Sequence, residues 1–251
     1  MRSSCPALAA LLALGLVLLA LSAPVQAGDA KIQVLLITGD DVPGHPWKET
    51  SPVYSEILTA SGKFEVKQEE GLAILEKKDE LAKFDLILFN LFNSKKVKLS
   101  DAAKANLVSY VKDGKGFMPC HLASASFQDW QEWNDMCGRH WVFNKSGHGP
   151  RKPFQVKIAN KEDPITKGLE GFEADDELYA KLFGEAKLNV LVEADSNFSN
   201  KTEPLLFTLE YGKGRVFHNA FGHDAKALKD PTLRKLLVRG AQWAATGKVT
   251  D

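Results

Sequence analysis

Cysteine is scarce in this 251-residue chain and neither sign of charge prevails: Cys5, Cys120 and Cys137 are its three cysteines, and 32 basic residues face 32 acidic ones. Balanced charge leaves no electrostatic footprint for nucleic acid or for an anionic membrane. No Cys-x-x-Cys pair is present, so a zinc ribbon or a dithiol redox site is excluded. Equally missing are Gly-x-Gly-x-x-Gly, a phosphate loop ending in Gly-Lys-Ser/Thr, His-Glu-x-x-His and Gly-x-Ser-x-Gly. Dinucleotide binding, phosphate-loop chemistry, zincin hydrolysis and serine hydrolysis thus lose their usual signatures. Internal repeats, low-complexity tracts and Pro/Ser/Gly-rich linkers are absent too, which leaves one core to be built.

The chain opens with Arg2, an apolar stretch from Ala7 to Leu21, and Val25-Gln26-Ala27, whose small residues suit signal peptidase. The stretch is too short for a spanning helix, so residues 1–27 are expected to be a signal peptide and 28–251 the mature domain. Cys5 precedes the apolar segment, where a lipoprotein would carry its cysteine after it; export without a stable membrane anchor is therefore expected, to the periplasm or the medium. Only Cys120 and Cys137 would remain after cleavage. They are expected to be free, since any disulfide would have to join these two.

What is present is an alternation of apolar runs and helical periods. Ile32–Thr38 and Phe84–Asn90 read as strands buried on both faces, Phe64–Gln68 as a more exposed one, and Gly116–Cys120 as another central one. Between them, 48–61, 72–82 and 101–113 have helical spacing, with Ser100 and Asp101 as caps and Gly62 and Gly114 as stops. Strands follow at 154–159, 188–194, 205–211 and 215–221, the last two joined as a hairpin by Gly212-Lys213-Gly214, and a helix from Asp230-Pro231 closes the chain. The expectation is an α/β fold: a mostly parallel sheet with helices on both faces. The Gly- and His-rich stretch 138–153 reads as a long functional loop.

Three polar stretches sit where apolar runs give out: Gly39-Asp40-Asp41 with His45-Pro46-Trp47, Cys120-His121, and Gly222-His223-Asp224. If those runs are parallel strands, their carboxyl ends share one crevice. His121, at a strand-to-helix elbow, and His223, beside Asp224, are expected to act as acid and base or to ligate a metal. Asp40 or Asp41 can accept hydrogen bonds from substrate hydroxyls, although either could equally close a turn on its own backbone. His45 and Trp47 can grip the apolar face of a ring ligand, and His148, between Gly147 and Gly149, can reach into a cleft. A zinc site of His121, His148 and His223 with a carboxylate is chemically reasonable. His218, inside a strand, and His140 read as structural, and the acidic run 175–177 alone reads as a solvated face.

Those stretches, with Gly147-His148-Gly149-Pro150, Asp163-Pro164-Ile165-Thr166-Lys167-Gly168-Leu169, Asp176-Glu177-Leu178-Tyr179 and Tyr211-Gly212-Lys213-Gly214-Arg215, resemble the ThuA-like (trehalose utilisation) family along essentially the whole mature chain. The resemblance implies the flavodoxin-like architecture of class I glutamine amidotransferases and draws Glu177 into the catalytic set with His121 and His223. In amidotransferases a nucleophilic cysteine occupies the elbow; here His121 stands there and Cys120 falls one position early, which argues against glutamine hydrolysis. The family name implies work on trehalose or related disaccharides, including glycosides oxidised to keto sugars by a partner sugar dehydrogenase. The competing reading is a non-catalytic carbohydrate-binding protein that kept the crevice.

Overall fold

The computed structural model describes Met1 and residues 30–250; apart from Met1, the segment read as a signal peptide lies outside the described residues. In Ile32–Gly39 (β1), Val34, Leu35, Leu36 and Ile37 follow one another and all are fully buried. A strand without a polar face needs cover on both sides, and the elements that follow supply it. They are α1 (Trp47–Ala60), β2 (Phe64–Glu70), α2 (Lys78–Leu81), β3 (Leu86–Leu91), α3 (Asp101–Lys112), β4 (Gly116–Pro119), α4 (Gln131–Cys137) and β5 (Gly147–His148). After them come β6 (Lys152–Ile158), β7 (Phe172–Asp176), β8 (Tyr179–Ala180), β9 (Asn189–Ser196), β10 (Lys201–Tyr211), β11 (Gly214–Asn219) and α5 (Pro231–Thr246).

Alternation along β1 splits the core into two layers. Val34 and Leu36 meet Tyr54, Ile57 and Leu58 of α1 and Leu233, Leu236 and Leu237 of α5. Leu35 and Ile37 meet Ala103, Leu107 and Val111 of α3 and Trp133 and Met136 of α4. The capping read from sequence takes physical form at two helices: Ser100 Oγ accepts from Ala103 N at 3.0 Å, and Asp230 Oδ1 from Leu233 N at 2.9 Å. Each such cap is worth about 1 kcal/mol.

Nine strands form one sheet in the order β2-β1-β3-β4-β11-β10-β9-β6-β7. The first five are mutually parallel, in the 2-1-3-4-5 pattern of flavodoxin-like folds, whose ligand crevice opens where the strand order reverses beside β1. The other four are antiparallel, so parallel pairing is confined to one half of the sheet. No crossover helix separates these strands, and short connections can join only antiparallel neighbours. Four successive reversals bring β7 back to the direction of β11, so the carboxyl ends of both strands lie on one rim. The antiparallel half also curls back: the Phe154 ring of β6 lies nearly flat on Phe221 just past β11, 6.3 Å between centroids and 9° between planes.

Three local expectations differ from the structure. The helix expected over 72–82 is a 3-10 turn at Ala73–Glu76 followed by the single turn of α2, because Lys77, at φ −107° and ψ 77°, leaves the helical region between them. After His121 there is a 3-10 turn, His121–Ala125, and α4 starts only at Gln131. The stretch 138–153 is partly ordered by β5, which pairs with β8. No helix among the described residues is long and apolar enough to cross a membrane.

Candidate functional site

Four loops at the carboxyl rim carry the chemistry. The turn after β1 closes with His45 N donating to Val42 O at 3.0 Å and presents His45 just ahead of α1. His121 occupies the elbow after β4 with φ +46°, a left-handed conformation that a non-glycine residue adopts only when its surroundings impose it. Here the constraint is visible: His121 Nδ1 is 2.7 Å from Ala220 O, and Tyr179 stacks on the ring with centroids 4.2 Å apart. His223 follows Gly222 (φ +119°), where a Cβ would come 2.3 Å from the Tyr54 hydroxyl, so only glycine fits. Glu177 comes directly after β7.

The side chains converge on Glu177, which is buried. Its Oε2 lies 3.6 Å from His45 Nε2 and 3.5 Å from His121 Nε2, and its Oε1 lies 3.2 Å from His223 Nδ1 and 3.5 Å from His148 Nε2. One ligand atom each from His45, His121, Glu177 and His223 all fall within 4.8 Å of one another. Among the described residues, His45 Nε2, His121 Nε2, His223 Nδ1 and Glu177 Oε2 are buried and hydrogen-bond no protein atom. Orphaned buried polar atoms are costly singly, and four facing one point call for a common partner.

The outward faces of the rings sharpen this. A carbonyl only accepts, so His121 Nδ1 carries the proton toward Ala220 O, as does His148 Nδ1 toward Gly149 O at 2.7 Å, while His45 Nδ1 lies 3.4 Å from Pro43 O. In neutral rings of that tautomer the inward nitrogens present lone pairs, and they face carboxylate oxygens that also only accept. Metal-ligating histidines show the same arrangement, with one ring N–H on a backbone carbonyl and the other nitrogen turned inward. Around zinc at roughly 2.0–2.1 Å, tetrahedral ligand atoms stand about 3.3 Å apart, close to the Glu177 separations. Three imidazoles and a carboxylate suit zinc and its first-row neighbours.

Burial by itself would raise the Glu177 carboxyl. The imidazoles of His121, His223 and His45, close to its oxygens, outweigh it when they carry a proton and hold the group well below the usual carboxylate range. His223 is raised by the Glu177 carboxylate beside its Nδ1, against a smaller effect of burial. Asp176 is raised by burial, against the pull of His121 and three backbone N–H groups.

The structure brings His45, His121, Glu177 and His223 together. His148 stands beside the group rather than in it, partly exposed at the mouth, so the zinc set drawn from sequence exchanges His148 for His45. Asp40 (φ +58°) and Trp47 line a narrow cleft of about 20 Å³ with Thr50, Asn90, Phe92 and Leu122. Asp40 accepts from Ser94 Oγ and Lys95 N, both at 3.3 Å. Asp41 is turned to solvent, where it accepts from Trp47 Nε1 at 3.0 Å and meets Lys48, so it does not face the cleft. His218 is buried and bonded through Nδ1 to Cys137 O, and His140 pairs with Phe183 through its backbone; neither joins the group. Cys120 and Cys137 are free and buried. Burial pushes the Cys120 thiol up to about 12, so it is no thiolate nucleophile.

Sequence reasoning missed Asp176, Tyr179 and Arg151. Asp176 was legible: in Phe172-Glu173-Ala174-Asp175-Asp176 a period of two sets Phe172, Ala174 and Asp176 on the buried face. Arg151, which forks Asp224 through Nη1 at 2.5 Å and Nη2 at 3.0 Å, left no sequence signal.

Comparison with known proteins agrees with this architecture. A ThuA-like protein of Parabacteroides merdae superposes with a TM-score of 0.77 at 28% identity, over 88% of this chain and 92% of its own. One from Bacteroides uniformis gives 0.65 at 18%, over 91% and 97%, and a cytoplasmic protein of Salmonella typhimurium gives 0.59 at 15%, over 85% and 99%. The last two likenesses speak for the fold alone. No curated protein matches the chain. The family model described as "ThuA: Trehalose utilisation" matches residues 33–244, and with that span matched the chain belongs to the ThuA family.

Proposed function

We propose that the protein is an exported carbohydrate-processing enzyme, acting on trehalose-like disaccharides or keto-glycosides, in which His45, His121, Glu177 and His223 hold one divalent metal such as zinc. The single observation that carries the metal is the convergence of four buried, unpartnered ligand atoms; the sugar rests on family membership. When bound, such an ion polarises a carbonyl or hydroxyl oxygen. The remaining work falls to protein groups. His148, with Nδ1–H held by Gly149 O, offers Nε2 at the mouth as the base that takes a proton from a hydroxyl-bearing carbon beside a carbonyl and delivers it to the former carbonyl carbon. The hydroxyl proton passes to the former carbonyl oxygen, so that the carbonyl moves by one position. Asp40 and Trp47 meet the sugar at the mouth of the cleft, which is itself too narrow to enclose a sugar ring. A sugar dehydrogenase acting first would supply the carbonyl.

The test is turnover of oxidised disaccharides by metal-loaded protein, beside calorimetry with a sugar panel. Wild type should form product, and His121→Ala, folded by circular dichroism, should not. Tight binding without product would make the protein a carbohydrate-binding module, and neither binding nor turnover would end the sugar reading.

A further inference from the structure

Glu177 reaches the histidines from an unpromising place. Strand β7 is the outermost of the antiparallel half and has a single ladder neighbour, β6. Nothing in that ladder fixes its carboxyl end against the loop after β11, four places away in the sheet order. Asp176, the last residue of β7 and 1% exposed, makes the connection. Its Oδ2 accepts from Gly222 N at 2.7 Å, and its Oδ1 accepts from His223 N at 3.2 Å and from Glu177 N at 2.8 Å. One buried carboxylate therefore fixes the backbone of two residues whose side chains meet at the site. A buried carboxylate costs several kcal/mol in desolvation unless its partners compensate, and here all three partners belong to the two ligand-bearing segments. Further out, Arg151 spans the same segments, from Asp224 to Asp175 O at 3.2 Å, and Lys226 meets Asp175 at 2.5 Å.

We infer that Asp176 is a positioning residue: by tying the end of β7 to Gly222 and His223, it sets the separation of Glu177 from the imidazoles and thereby the affinity of the site for a divalent ion. The inference rests on the metal reading proposed above. It differs from a purely structural role because it concerns the geometry of the group rather than the survival of the fold.

The experiment compares wild type, Asp176→Asn and Lys161→Ala as full, untagged protein. Asparagine keeps the shape but replaces one accepting oxygen with a donor, so at least one of the three bonds is lost. Two readouts are taken at one fixed pH: cobalt(II) affinity with its visible spectrum, and the side-chain nitrogen-15 resonances of the histidines without metal. Asp176→Asn should weaken cobalt binding roughly 10- to 100-fold, the range for residues that orient ligands, and should move the His223 and His121 resonances. Lys161→Ala, which removes only the exposed pair with Glu170, should change neither. An Asp176→Asn protein with wild-type affinity and unmoved resonances would overturn the inference. If wild type itself binds no cobalt, the metal reading falls, and the resonances alone decide whether Asp176 positions the group. Should Asp176→Asn fail to fold, Asp224→Asn loosens the same connection from outside and must weaken binding several-fold; wild-type affinity there would also overturn the inference.

Discussion

Glu177→Gln removes the only carboxylate of the group while keeping its shape, so it isolates what that charge does. If the four ligand atoms hold an ion, the metal stabilises only the folded protein, because the loops carrying them are far apart in sequence. At free ion 100 times above Kd, that linkage contributes about 2.7 kcal/mol. For a domain of this size, roughly 2–4 °C of melting temperature accompanies each kcal/mol, so the wild-type transition should rise by about 5–11 °C on addition of zinc after chelation. Even misplacing a ligand commonly costs at least about tenfold in affinity, and losing the anionic one should cost no less. At the same ion concentration the variant then keeps at most about 1.4 kcal/mol, or roughly 3–6 °C. Differential scanning fluorimetry with chelator and with zinc reads both shifts. A wild-type transition that ignores zinc, or a Glu177→Gln shift equal to wild type, would refute the reasoning.

Two predictions concern the frame around the site. Burial pulls the fully buried His218 down to about 4 from its ordinary 6.5, so its share of stability is complete above about pH 6.5 and is lost as pH falls toward 4. Urea denaturation should show wild type losing about 3 kcal/mol more than His218→Asn between pH 7 and pH 4, and parallel profiles would contradict this. Tyr54 Oη donates to Phe221 O and accepts from Asn219 Nδ2, both at 3.0 Å, so Tyr54→Phe removes two buried hydrogen bonds and leaves only the 3.0 Å bond from Asn219 Nδ2 to Phe221 O. It should cost about 1–3 kcal/mol in chemical denaturation, and a neutral result would mean that the loop reorganises.

The parallel half of the fold was legible because β1, β3 and β4 are apolar on both faces and its helices carry their own caps and stops. Ser100, Asp230, Gly62 and Gly114 each announce a local conformation whatever the tertiary context. The antiparallel half was less so. Strand β7 reads FEADD, too acidic for a buried strand by composition, and only its period of two reveals the inward face. The site was legible as far as strand ends go: His121 and His223 stand where buried runs stop. Sequence could not separate His45 from His148, since both lie in loops flanked by Gly or Pro and only the path of the turn at Val42–His45 decides which ring reaches Glu177. Nor could it tell Asp40 from Asp41, whose difference is one left-handed backbone step and a bond to Trp47.

The most direct measurement is anomalous diffraction from zinc-loaded crystals of the untagged protein. A single peak is expected about 2.0–2.2 Å from His45 Nε2, His121 Nε2, His223 Nδ1 and a Glu177 oxygen. An empty site at saturating zinc, or an ion bound through His148 with His45 turned away, would contradict the account.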